Sequence, residues 1–154
     1  MKILAPLKAA DEVVPLCEAG AGEFYCGVAP PGWEEAFGSA SVHRRSARAA
    51  GVPGLHDLDR IVAHAQGRPV FATLNAPSYP AGAVPRLVEF GRALVEHHGV
   101  AALIVAEMEL MLALCEAGLA ARVHVSSLAT CRNPGAGAFF RGLGVSRVML
   151  SPLP

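Results

Sequence analysis

His124 and Ser126 stand two apart in the run RVHVSS, and an imidazole near a hydroxyl is the raw material of a general base and a nucleophile. In an extended chain alternate side chains share a face. Val123 and Val125 form one set, suited to packing under helices, which leaves His124 and Ser126 to look inward. The same alternation in VFATLN groups Phe71, Thr73 and Asn75. Glu107 follows directly on the apolar run that ends at Ala106, and Ser151 on the run that ends at Leu150. Glu107, His124 and Ser126 are therefore the candidate catalytic residues, and Asn75 a candidate for binding substrate. Residues two apart on a strand lie about 6.5–7 Å from each other, whereas a nucleophile and its base must meet at about 3 Å. His124 and Ser126 are not expected to act as a direct pair, and no G-x-S-x-G elbow surrounds either serine of the run.

Other chemistry-bearing residues are weaker candidates. Trp33, the single tryptophan, opens a long connection that also carries His43, Arg44 and Arg45. Connections of that length often face a ligand or anchor a loop. Trp33, Arg44 and Arg45, with Tyr25 just before them, join the substrate-binding candidates. Lys8 could form a Schiff base, although a lysine near a helix start is more often solvated. His97 and His98 are adjacent on a helical pattern, point in different directions and suit a helix C-terminus better than a metal. The four cysteines form no C-x-x-C pair, and neither GxGxxG nor GxxxxGK[ST] occurs, so no metal ligand set or phosphate cradle is expected.

The elements that must position these residues alternate. Apolar strand-like runs cover residues 2–7, 23–28, 69–75, 101–106, 122–126 and 147–150, and helical patterns cover 10–19, 55–66, 84–98, 109–117 and 135–142. That order predicts right-handed βαβ units and a parallel sheet. The joints recur too: CEAGAGEF and CEAGLAAR open alike, and HHGVAALIV matches GLGVSRVML in logic. A glycine at each joint supplies the positive φ of a helix C-terminal cap. If such a parallel sheet closes into a barrel, its functional rim lies at the C-terminal ends of the strands.

The 154 residues are enough for one domain, 53% of them are hydrophobic, and the formal net charge is zero. That balance argues against long-range attraction to nucleic acid or an anionic membrane. The short apolar stretch between Lys2 and Lys8 is too brief for a secretory signal, and no apolar run approaches the roughly 20 residues of a membrane span. A cytoplasmic setting with reduced thiols is expected.

The motifs ILAPLKAADEVVPLCEAGAGEFYCGVAPPGW, SVHRR, PVFATLNAPSY, ALIVAE, VHVSS followed by Asn133, and LGVSRVMLS occur in that order. Together they resemble the collagenase-like U-thirty-two peptidase family over the whole chain. The resemblance implies a TIM-type barrel, commonly followed by four cysteines that hold a 4Fe-4S cluster. No cysteine of this chain matches that set, so no cofactor is expected within the segment. The resemblance places Asn75 and Ser126 on the barrel rim and adds Asn133 as a substrate-binding candidate. Ser127, Leu128 and Pro152 depart from the family pattern.

Two chemistries are implied: oxygen-independent, iron–sulfur-dependent hydroxylation of RNA bases or a quinone precursor, and peptide hydrolysis. The hydroxylase is the first expectation for the intact protein, the peptidase the second, and a non-catalytic half-barrel the third. A TIM barrel needs about 250 residues and eight strands, so residues 1–154 are expected to be the first six units of one. A partner chain or self-association is expected to cover the open edges. An isolated piece should then associate in light scattering; a compact, cooperative monomer is the outcome that contradicts it.

Overall fold

The computed structural model describes residues 2–44 and 51–150. Its frame is a six-stranded sheet, all parallel, in the order of the sequence: β1 (Ile3–Pro6), β2 (Ala21–Gly27), β3 (Val70–Leu74), β4 (Ala102–Val105), β5 (Val123–Val125) and β6 (Arg147–Val148). Helices α1 (Val13–Glu18), α2 (Trp33–Phe37), α3 (Leu55–His64), α4 (Ala83–His97), α5 (Met108–Leu114) and α6 (Pro134–Gly142) fill the connections. Strand order following chain order curls the sheet one way, and the result is an open, incomplete (β/α) barrel. β1 and β6 are its edges.

Period-two alternation divides the residues as the sequence predicts. Phe24, Cys26, Val70, Ala72, Leu74, Leu103, Val105, Val123 and Val125 face outward into the main core, beneath the helices. The helices answer with residues three and four apart: α4 buries Val84, Leu87, Gly91 and Leu94. α4 comes so close to the sheet that a Cβ on Gly91 would lie 2.7 Å from Leu103 Cδ1. The inward face is thinner, with Phe71, Ala102 and Ile104 buried against Leu4, Tyr25 and Met149.

The repeated joints behave alike. Gly20 and Gly118, at matching places in the two CEAG motifs, have φ of 95° and 80°, which only glycine adopts without strain. Gly99 and Gly144 do the same before β4 and β6. Element ends differ from the predicted ranges: the fourth helical pattern loosens after Leu114 into a wider turn over Cys115–Leu119, because Gly118 leaves the helical region. Of the sixth apolar run only Arg147 and Val148 pair with β5.

Across the interior, Arg147 of β6 grips Glu23 of β2 with two hydrogen bonds of 2.8 and 2.9 Å. Glu23 is buried, Lys2 lies 3.9 Å from its carboxylate, and the Arg147 guanidinium sits 5.2 Å above the Phe71 ring. The Arg147 hydrogen bonds hold the Glu23 pKa below its ordinary 4.5, against the opposing effect of burial. Replacing Arg147 with Met strands a buried carboxylate. Because the guanidinium is itself partly exposed, the expected loss is reduced to about 1–3 kcal/mol. The double variant Glu23→Gln/Arg147→Met should recover part of it in denaturant melts. A depressed carboxylate pKa stabilises the fold above its unfolded value, so the wild-type advantage over the double variant should be complete above pH 4.5 and fade as pH falls below it.

Candidate functional site

At the C-terminal ends of the strands the chain turns outward around a cavity of about 520 Å³. Its lining includes Lys8 after β1, Tyr25 of β2, Asn75 after β3 and Ser126 after β5, with His43 and Arg44 from the long connection. Pro6, Thr73, Ile104 and Met149 complete the inner wall. The opposite end of the barrel is occupied by the Glu23–Arg147 pair.

The connection after β2 is fastened at several points. Trp33 is buried, stacks at 4.6 Å on Phe37 and donates its indole N–H to the Ala40 carbonyl at 2.6 Å. The Tyr79 hydroxyl donates to the Val42 carbonyl at 3.0 Å, and the Ala76 amide donates to the same oxygen at 3.3 Å. Burial raises the Tyr79 pKa well above the ordinary tyrosine value, with Glu107 adding to it, so the phenol keeps the proton it donates. Arg86 reaches the Pro31 carbonyl. The Arg44 amide donates to Asn75 Oδ1 at 3.1 Å, which turns the Asn75 amide nitrogen toward other acceptors.

Ser126 is buried at the cleft wall. Its Oγ accepts from the Leu128 amide at 3.3 Å, and its own amide donates to the Val105 carbonyl at 2.8 Å. The hydroxyl proton is left for a ligand. His124 lies one layer deeper, edge-on to Phe71 at 4.6 Å, and does not line the cleft. Its Nδ1 is buried and has no hydrogen-bond partner. Burial, followed by the nearby Arg147 charge, lowers its pKa to about 4 against a smaller opposing pull from Glu23. His124 is therefore neutral at pH 7.

The structure brings Tyr25, Arg44, Asn75 and Ser126 together around the cleft, and leaves other candidates outside its lining. Glu107 is the N-cap of α5, where its two carboxylate oxygens accept from the Glu109 and Leu110 amides at 2.9 and 2.7 Å. Asn133 caps α6 in the same way, accepting from the Ala136 amide at 2.9 Å. Trp33 anchors the connection from within the core. Arg45 and Ser151 lie outside the described residues. His43 and Lys8, neither of them among the expected site residues, also belong to the lining. Gly27, ending a strand just before the long connection, was the available signal for His43. Cys26 also borders the cleft, but burial pushes its thiol up to about 12, so it is no nucleophile.

Fold and cleft define a parallel βα-barrel protein with its candidate site on the C-terminal rim. A sequence model of Peptidase family U32 matches residues 8–152, and the chain belongs to that family. It is similar in fold to the solved structure of the U32 peptidase Mk0906, with a TM-score of 0.63 and 20% sequence identity. The match covers 97% of this chain and 58% of that one, so the chain spans little more than half of its structural relative. No curated protein matches it.

These findings correct the first functional expectation. Both the matched family and the matched structure are designated peptidases, and neither supports an iron–sulfur hydroxylase. The described residues themselves offer no donor set for a cluster. Cys17, Cys26 and Cys131 pack separately in the core, and among the described residues no three His, Cys, Asp or Glu side chains converge as metal ligands. Among the described residues, too, no helix is long and apolar enough to cross a membrane.

His124 yields a test of structure against chemistry. Its proton affinity is lower folded than unfolded, so the unfolded chain gains protons between pH 6.5 and about 4 and stability falls as pH drops through that window. His124→Phe removes the unpaired nitrogen and keeps a ring against Phe71. Melts of the variant are expected to lose that pH slope while stability at pH 7 is kept or raised.

Proposed function

We propose that the intact protein hydrolyses peptide bonds in the cleft at the C-terminal rim, as a collagenase-like peptidase. The observation that carries this reading is the convergence of Tyr25, Arg44, Asn75 and Ser126 on one cavity of about 520 Å³, a volume within the usual range for ligand sites. The peptidase designation of the family and of Mk0906 supplies the reaction class.

In this reading the Asn75 amide nitrogen, oriented by the Arg44 amide, donates to a substrate carbonyl. The Lys8 and Arg44 charges stabilise the oxyanion that develops there. Ser126 donates its hydroxyl proton to the bound chain, and Tyr25 forms part of the wall beneath it. Glu107, Asn133 and Trp33 serve the site indirectly, as helix caps and as the anchor of the connection. The six units act within a larger barrel, whose further strands or partner chain cover the edges at β1 and β6. The open sheet and the 58% coverage of Mk0906 favour that arrangement. A cytoplasmic setting agrees with the four free cysteines.

Fluorescein-labelled gelatin offered to the intact protein is the direct test. Release of labelled fragments is expected, with kcat/KM reduced by about 10- to 100-fold in Asn75→Ala and Ser126→Ala. Glu107→Ala should instead cost about 0.5–2 kcal/mol of stability and leave kcat near that of the wild type. No cleavage by a folded intact protein, or activity indifferent to Asn75 and Ser126, rejects the reading.

A further inference from the structure

We propose that His43 is the proton-transfer residue of this cleft, a role that rests on the peptidase reading above. His43 is 5% exposed, yet its side chain borders the cavity. Its ring is seated on the backbone of Gly27. A Cβ built there would lie 2.6 Å from His43 Cδ2, 2.7 Å from Nε2 and 2.8 Å from Cγ, closer than real Cβ atoms approach. Gly27 does not have a positive φ, and it pairs as a strand residue with Thr73 and bridges to Gly51. A glycine in such a place weakens a strand unless something must come close. Here the imidazole occupies the position that a side chain on β2 would take.

The residues on either side of His43 are fixed as well. The Val42 carbonyl accepts from Tyr79 and Ala76, and the Arg44 amide donates to Asn75. An imidazole held between two fastened neighbours, against a backbone cut away to admit it, is preorganised rather than merely buried. Among the described residues, the titratable and charged groups that share its cavity are Lys8 and Glu12 from the β1 side, Tyr25 and Cys26 from β2, and Arg44 beside it. Among the described lining residues, those from β3, β4 and β5 contribute no titratable group. Glu12 is engaged by the Lys8 amide at 2.9 Å. Among these groups only His43 combines a near-neutral ordinary pKa with a fixed position.

The step is a hydrolysis. Neutral His43 accepts a proton from water as the water oxygen bonds to the scissile carbonyl carbon. The imidazolium then returns that proton to the departing nitrogen as the carbon–nitrogen bond breaks, which leaves a carboxyl group and an amine. No oxidant or reductant enters.

The test uses the intact protein, fluorescein-labelled gelatin and pH–rate profiles between pH 5 and 9. His43→Gln is expected to lower kcat by roughly 100-fold or more with little change in KM, and to abolish the acid limb of the wild-type profile. Gly27→Ala retains the imidazole but displaces it, and should lower kcat by about tenfold or more while shifting that limb. His124 cannot supply the limb, since its pKa of about 4 lies below the range. A folded His43→Gln protein with the wild-type rate and profile overturns this inference and leaves the peptidase reading intact. A wild-type profile with no acid limb overturns it without any variant. A wild type that cleaves no gelatin removes the peptidase reading, and His43's role with it.

Discussion

The Glu23–Arg147 pair organises the interior of the curled sheet. Its partners come from β2 and β6, strands far apart in the sheet order, and they meet only because the sheet bends enough to bring them face to face. A carboxylate this buried is costly without its bidentate partner, so any flattening that parts the two is opposed. The pair also fills the end of the barrel where the strands begin. Phe71 lies beneath the guanidinium and against His124, so the charge layer and the aromatic layer are packed as one unit. Burial within these layers, with the Arg147 charge nearby, keeps His124 neutral.

Above these layers the cleft depends on one connection being held to another. The segment after β2 would be a free loop if its only ties were its own residues. Tyr79, Ala76 and Asn75, all from the connection after β3, bind it at Val42 and Arg44, and Trp33 sinks its other arm into the core. The cleft is thus assembled from loops but braced like a secondary-structure element, which a site needs if its groups are to be in place before a ligand arrives. Buried Tyr79 keeps its proton because of that burial, so the strut is insensitive to pH over the range in which an imidazole titrates.

Much of this was legible in the sequence, for a reason that can be stated residue by residue. The parallel sheet and the inward set of Phe71, Thr73, His124 and Ser126 follow from period-two alternation, which burial on one side enforces without help from the rest of the chain. The capping glycines follow from local backbone geometry. The contents of the cleft were harder to read. Glu107 and Asn133 stand just past or between elements, where a polar side chain is as useful to a helix N-terminus as to a substrate, and both serve the helix. Nothing local tells these uses apart. His43 and Arg44 were visible only as part of a long connection, because their position depends on hydrogen bonds to residues more than thirty places away in the chain.

Family membership narrows the chemistry less than the geometry does. A βα barrel hosts many reactions, and a likeness at 20% identity carries the fold and not the site. What distinguishes this rim is a pairing of features on neighbouring strands: β2 ends in a glycine that admits an imidazole, and β3 is followed by an asparagine whose oxygen is spent on the backbone beside that imidazole. One residue creates the space and the other fixes what fills it. Had Asn75 been present only to bind substrate, its oxygen would not need to hold the Arg44 amide. Had Gly27 been present only for the strand, a β-branched residue would serve better. Both departures from what the sheet prefers are accounted for by the placement of His43, and that shared cause is the strongest reason to look for the chemistry there.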